Sequence, residues 1–175
     1  AIKEANDIAG TVTAKAAAET GLAEGTPVIT GTDDSGAEAI SIGVVAPGKM
    51  MIQFGSSIYM ILGTKELVDD EEFIVPGLCD ISAGTNAAGS LTKWYRDNLF
   101  PDALAIEKDG GPDAYQTMME GVEQIAPGSD GLITLPYFAG ERTPINDPLA
   151  CGCLLGLTLA HTRAHLYRSA LESVA

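Results

Sequence analysis

Apolar and polar positions along this chain alternate with two different periods, and the switches between them mark out the elements. Residues 13–25 read as a short helix over Ala14–Thr20, with Gly21 placed to close it. Residues 27–31, Pro-Val-Ile-Thr-Gly, are a short apolar run that predicts a buried strand ending at glycine. The polar, turn-forming sequence Thr32-Asp33-Asp34-Ser35-Gly36 follows. Residues 37–45 then read as a helix of small residues suited to close packing, and Pro47-Gly48 marks a turn. Met50–Phe54 and residues 58–62 are strand-like, and Gly55, Ser56 and Ser57 between them fit a three-residue hairpin connection. The acidic run 69–72 reads as a solvated loop, and 73–75 as a further strand.

In the second half the helical period dominates. Residues 86–99 place Ala87, Ala88, Leu91, Trp94, Tyr95 and Leu99 on one face. A loop at 109–112 precedes a helix over 114–126, whose stripe is Tyr115, Met118, Met119, Val122 and Ile125. A strand at 132–136 leads into a long loop, 139–156. Leu166, Tyr167, Ala170, Leu171 and Val174 form a last stripe, with Thr162 as its N-cap. Neither Gly, Asn nor Pro closes that stripe before Ala175, and position 1 is not Met, so a segment of a longer protein is expected. Strands and helices alternate with one hairpin, which predicts an α/β fold with a mixed sheet and flanking helices.

Composition narrows the function classes. Of 175 residues, 46% are apolar, enough for a sizeable core, and 24 acidic against 10 basic residues give a net charge of −14. So acidic a surface repels phosphate backbones and anionic lipid, so neither nucleic acid nor a membrane is an expected partner. The run Ile58-Tyr59-Met60-Ile61-Leu62 falls far short of the ~18 apolar residues of a membrane span, and there is no secretory signal at the start, so a cytoplasmic protein is expected. Three cysteines, Cys79, Cys151 and Cys153, do not make a disulfide scaffold, and Cys151-Gly152-Cys153 has no second Cys pair to complete a zinc site, so buried thiols are expected there.

Several groups are candidates for chemistry, each with a plainer reading beside it. Asp33-Asp34 follows a strand and opens a helix, where a carboxylate can serve as a general base or simply cap the helix. Gly55-Ser56-Ser57 offers amides, hydroxyls and no bulk, suiting a phosphate or merely a tight hairpin. His161 and His165 lie four apart, but lack the further ligands of a metal site, which favours a structural role at a helix start. Glu141-Arg142, in a Gly/Pro-rich loop, reads as an ion pair that pins the loop more readily than as a substrate clamp.

The order of these stretches resembles the FGGY carbohydrate kinases. "GTVTAKAAAETGLAEGTPVITGTDDSGAEAISIGVV" resembles the family's approach to its catalytic aspartate, "MMIQFGSSIYMIL" its phosphate-contacting hairpin, and "AAGSLTKWYRD" the helix that begins near the nucleotide. "LPYFAGERTPINDPLACGCLLGLTLAHTRAHLYRSALESVA" resembles a signature of the carboxy-terminal domain, close to its xylulokinase form. The resemblance implies a ribonuclease-H-like, actin-like ATPase fold, present here as a fragment. Residues 1–47 would end the amino-terminal domain, and 48–175 would begin the carboxy-terminal one. It implies ATP and Mg2+ as cofactors, a small sugar as substrate, D-xylulose first among ketopentoses, and allows a homodimer. Its catalytic base falls on Asp34, a sugar-holding position on Ser35, and the nucleotide contacts on Gly55, Ser56, Ser57, Gly89 and Lys93, with no metal ligand assigned. Two positions depart from the family: Ser35 stands where Asn or Gln is usual, and Cys151 replaces an Arg. These departures motivate an alternative, a non-catalytic nucleotide- or sugar-binding module that keeps the kinase fold.

Overall fold

A computed structural model describes residues 3–68, 75 and 77–175. The chain divides into two compact units: residues 1–51 with 60–82, and residues 52–59 with 83–175. The expected acidic loop at 69–72, and all of the expected strand at 73–75 except Val75, lie outside the described residues; Val75 itself lies in a bend.

In the first unit, β1 (Ile8–Thr11) pairs antiparallel with β2 (Pro27–Ile29), Ile8 opposite Ile29 and Thr11 opposite Pro27, with an irregularity between Ile8 and Gly10. β1 carries too little apolar signal, Ile-Ala-Gly-Thr, to stand out in the sequence. Between the two strands lies α1 (Ala14–Thr20). The Thr13 side chain accepts from the Ala16 N–H, and Gly21, at φ 78°, donates its own N–H to the Ala17 carbonyl. Both ends are those the sequence signals. β2 corrects one expectation: every residue of β1 and β2 is exposed, because among the described residues this two-stranded ribbon has no layer over it.

α2 (Asp34–Ser41) begins three residues before the predicted start and ends before Val45. Asp33 fixes the early start, since its Oδ1 accepts from the Gly36 N–H at 2.9 Å. Gly43, at φ 94°, ends the run, and Gly36 and Ala39 are the helix's buried positions.

β3 (Met50–Phe54), β4 (Ile58–Thr64) and β5 (Cys79–Thr85) form a three-stranded sheet in that order. β3 and β4 sit where the hydrophobic pattern places them. The sequence did not reveal β5, because in Cys-Asp-Ile-Ser-Ala-Gly-Thr the β-branched Ile81 and Thr85 stand apart among small and polar residues, with no apolar run or alternation to mark a strand.

The second unit is built around α3 (Gly89–Leu99), α4 (Pro101–Lys108), α5 (Ala114–Met119) and α6 (Arg163–Ser173), with the antiparallel ribbon of β6 (Ile133–Leu135) and β7 (Cys153–Leu155). α3 buries Leu91 and Tyr95 as its stripe predicts, although it starts at Gly89 rather than at 86. α4 was not foreseen; Pro101 at its first turn is the missed start signal. α5 stops at Met119, well short of 126, because Gly121 interrupts the run, but the turns beyond it still bury Val122. β7 lies inside what read as a loop. The core joins Leu91, Tyr95, Phe100, Met118, Val122 and Tyr167, with the Tyr95 and Tyr167 ring centroids 6.0 Å apart and those of Phe100 and Tyr167 5.8 Å apart. Burial pushes the Tyr95 and Tyr167 hydroxyls above their ordinary range.

The histidines are structural. Thr162 and His165 form a reciprocal cap at the start of α6, His165 Nδ1 accepting from the Thr162 N–H at 3.1 Å, and His161 Nδ1 accepts from the Thr158 N–H at 2.9 Å. Among the described residues no cluster of three or more His, Cys, Asp or Glu could hold a metal, and no helix is long and apolar enough to cross a membrane. The expectation of buried thiols at Cys151 and Cys153 is corrected: Cys151 is exposed and Cys153 half-buried, since they lie on a loop and a thin ribbon rather than on a core face.

Two predictions follow from this packing. Leu91, 1% exposed at the centre of the core, has little room for its neighbours to collapse. Leu91→Ala should cost ~2–5 kcal/mol in denaturant unfolding. Second, hydrogen bonds from Arg163, at 2.5 and 2.6 Å, hold the Asp102 carboxyl below the usual carboxylate range. A lowered pKa stabilises the fold above the ordinary value, and that contribution is lost as pH falls through the lowered one. The Tm gap between wild type and Asp102→Asn should therefore be present at neutral pH and close in acid, where Asp102 is itself protonated.

Candidate functional site

The adjacent acids at the start of α2 divide two roles. Asp33 is the cap: its Oδ1 accepts from the Gly36 N–H at 2.9 Å and from the Thr32 hydroxyl at 3.2 Å. Asp34 is the first residue of the helix and is exposed. Its Oδ1 accepts from the Ser35 N–H at 2.9 Å, while among the described residues Oδ2 meets no donor. Oδ2 is donor-free in both acids among the described residues; what separates them is that Asp33 holds the helix start through Oδ1 and Asp34 does not. Ser35 is half-buried beside it. The same unit carries an apolar depression lined by Ile29, Thr32, Ile40 and Val75, among others; Thr32 and Asn6 are its polar side chains, a poor complement to a polyol.

In the second unit, Gly55, Ser56 and Ser57 turn the hairpin, with the Gly55 N–H donating to the Ser57 carbonyl at 2.9 Å. The Gly55 and Ser56 carbonyls face the start of α3. Gly55 O accepts from the Gly89 N–H at 3.0 Å, and Ser56 O accepts from the Ala88 and Ser90 N–H groups, each at 3.0 Å, and from Ser90 Oγ at 2.8 Å. The first amides of a helix lack partners within it, and Ala88 at the N-cap has no side chain to supply one. The hairpin supplies them instead. This contact requires glycine at 89, because a Cβ there would stand 2.5 Å from Gly55 O.

This geometry refines the sequence reading. The structure brings Gly55, Ser56 and Gly89 into direct contact. It also shows that the Gly89 amide is already engaged, so the donors left for a ligand are the Ser56 and Ser57 hydroxyls and amides. Lys93 lies one turn further along α3, exposed, with no ion pair among the described residues. Ser90, whose hydroxyl grips Ser56 O, escaped the sequence reading, because no local pattern announces a contact across 34 positions.

The Glu141-Arg142 expectation is corrected in its details. The two side chains do not pair with each other. Glu141, 3% exposed, accepts from Thr85 Oγ1 at 2.8 Å and from the Arg142 backbone N–H at 2.7 Å. Arg142 Nε donates to Asn86 Oδ1 at 2.9 Å, and Asn86 Nδ2 donates to the Ala139 carbonyl at 3.2 Å. The loop is pinned, but to residues 85 and 86, just ahead of α3. Phe138 packs on Trp94 of α3, ring centroids 5.1 Å apart, and Gly152 lies flat against the Phe138 ring, where any Cβ would collide with it. Cys151 therefore stands next to a position that admits only glycine, and its sulfur reaches the Leu149 carbonyl at 3.5 Å.

Comparison with solved structures defines the class. The xylulose kinase of Rhodospirillum rubrum superimposes with a TM-score of 0.82 at 34% identity, covering 98% of this chain and 34% of that one. The fold is the ribonuclease-H-like, actin-like ATPase fold. The profile of the FGGY family of carbohydrate kinases, C-terminal domain, matches residues 50–175, and the chain belongs to this family. Among curated relatives, a ribulokinase of Anoxybacillus flavithermus is 34% identical over 95% of this chain, and a gluconokinase of Bacillus licheniformis 29% identical over 90%. The chain spans about a third of the length of these relatives, 31% and 32%.

Gly89→Ala tests the hairpin contact by its sign. In an unobstructed helix the change would stabilise by ~0.5–1 kcal/mol; here the Gly55 carbonyl obstructs it, and a loss of ~1–3 kcal/mol is expected. Hydrogen exchange at residues 88–90 should quicken in the variant while that at α6 stays as it was.

Proposed function

We propose that the protein is an ATP-dependent sugar kinase, with residues 1–47 belonging to one kinase domain and 48–175 to the next. Phosphoryl transfer needs an in-line hydroxyl, neutralised phosphate charge and a group to take the hydroxyl proton. Asp34 is the group we assign to the proton, and the observation that supports the assignment is that Asp33, not Asp34, is committed to capping the helix. Ser35 sits beside it as a sugar contact. Ser56 and Ser57 supply short donors to the phosphates at the turn that Gly55 keeps free of bulk, and Gly89 and Lys93 flank the nucleotide. Mg2+ binds through few carboxylates, several waters and the substrate's own phosphates. Membership of the sugar-kinase family is what supports such an ion, brought in on ATP. Bound there, it would offset phosphate charge that this acidic chain cannot.

Among substrates we favour D-xylulose. The similarity to a xylulose kinase at 34% identity supports it, and the ribulokinase and gluconokinase relatives define the competitors. The protein is expected to work in the cytoplasm.

The test is ADP release by the intact enzyme across ketopentoses, gluconate and polyols, with D-xylulose expected to give the highest kcat/KM. Asp34→Ala should lower kcat by ~10²–10⁴ with little change in the KM for ATP. Asp33→Asn should leave most of kcat. Near wild-type turnover by Asp34→Ala would overturn the assignment, and equal damage from both changes would move it to the pair. The 175-residue chain alone is expected to show no turnover.

A further inference from the structure

Of the four arginines in the chain, three have their guanidinium engaged by a carboxylate: Arg96 by Asp97 at 2.7 Å, Arg163 by Asp102 at 2.5 Å, and Arg168 by Glu172 at 2.6 Å. Arg142 does not. It is exposed, it belongs to a chain with 24 acidic side chains, and a glutamate precedes it directly. Yet Glu141 points its oxygens at Thr85 and at the Arg142 backbone. The guanidinium uses only Nε, toward Asn86 Oδ1. Among the described residues, Nη1 and Nη2 meet no acceptor.

The side chain is nonetheless held. The Glu141 N–H bonds the Asp147 carbonyl at 2.9 Å, and the Asn146 N–H bonds the Arg142 carbonyl, so the backbone is fixed on both sides. Asn86, which orients the Nε edge, is itself tied to Ala139 and lies two residues before the amides that grip the hairpin. A guanidinium oriented through Nε presents Nη1 and Nη2 as a planar fork. That geometry matches two oxygens of a phosphate, and such charge-assisted pairs are the strong ones. An unpaired cation in an otherwise negative chain also concentrates anions locally.

We propose that Arg142 is a phosphate ligand, its fork taking the transferred phosphoryl group either in ATP or in the sugar phosphate product. The proposal rests on the kinase reading above, and extends the phosphate contacts to a loop that reading leaves unused.

Calorimetry on the intact protein tests it, with inorganic tripolyphosphate and D-xylulose 5-phosphate as separate probes. Arg142→Ala should weaken at least one of them by about 10-fold or more, as loss of hydrogen bonds to a charged group implies. Arg142→Lys should fall between, since it keeps the charge and loses the fork. Loss confined to tripolyphosphate would assign the fork to ATP; loss confined to the sugar phosphate would assign it to product. Asn86→Ala separates binding from mere loop support, because it releases Nε and leaves the fork, and should cost less binding than Arg142→Ala. Unchanged affinities in Arg142→Ala, no binding of either probe to wild type, or equal losses in Asn86→Ala would each overturn the proposal. Should Arg142→Ala unfold, Arg142→Lys carries the comparison. Failure of the kinase reading would show separately, as no ADP release with any sugar while Arg142-dependent phosphate binding persists.

Discussion

Three amides at the start of α3 have no carbonyl within the helix to bond, and the residue before them is alanine. The hairpin carbonyls of Gly55 and Ser56 fill that gap, and the arrangement of the second unit follows from it. A side-chain cap would have fixed only the helix. A backbone cap drawn from another element fixes helix and hairpin together, so the loop that turns β3 into β4 has its position set by α3. α3 in turn is anchored by Leu91 and Tyr95 in the aromatic core. A hairpin tip of glycine and serine, which alone would be loose, is thereby given the firmness of a core helix. The phosphate role proposed for Ser56 and Ser57 would draw on that firmness, since preorganised donors do their electrostatic work without reorganising.

The same segment organises the long loop. Thr85 and Asn86, just ahead of α3, receive Glu141 and Arg142, and Trp94 on α3 receives Phe138. A loop without regular structure over most of its length is thus held at both a polar and an aromatic point. Burying Glu141 without a cation is costly unless its oxygens are hydrogen-bonded, and the Thr85 hydroxyl and Arg142 amide meet that need. What this leaves over is a positive group with its fork unused.

Much of this was legible in the chain, and the limits of that legibility are physical. α1 was readable because both of its ends carry local signals, Thr13 and Gly21. The hairpin was readable because Gly-Ser-Ser interrupts two apolar runs. Which of Asp33 and Asp34 caps the helix could not be resolved from spacing, since either acid can occupy a cap; the backbone assigns the cap to Asp33. β5 and β1 were missed because most of their residues are small or polar, and a single isoleucine in each leaves no periodic trace. The exposure of β2 contradicted its apolar composition, because composition reports what a segment would bury and not what covers it. The hairpin-to-α3 contact could not be read at all: it is made by backbone carbonyls, which every residue has.

The β1–β2 ribbon has a colloidal consequence. It exposes Ile8, Val28 and Ile29, 45–59% accessible, on two strands whose outer edges are unpaired in the described residues. Open edges with apolar side chains invite strands from other molecules. Opposing this is mutual repulsion between copies that each carry −14. That repulsion is screened within about 8 Å at physiological ionic strength, roughly the reach of a strand pair. Added salt should therefore bring copies of this chain together rather than keep them apart, the reverse of the behaviour expected where association is driven by opposite charges.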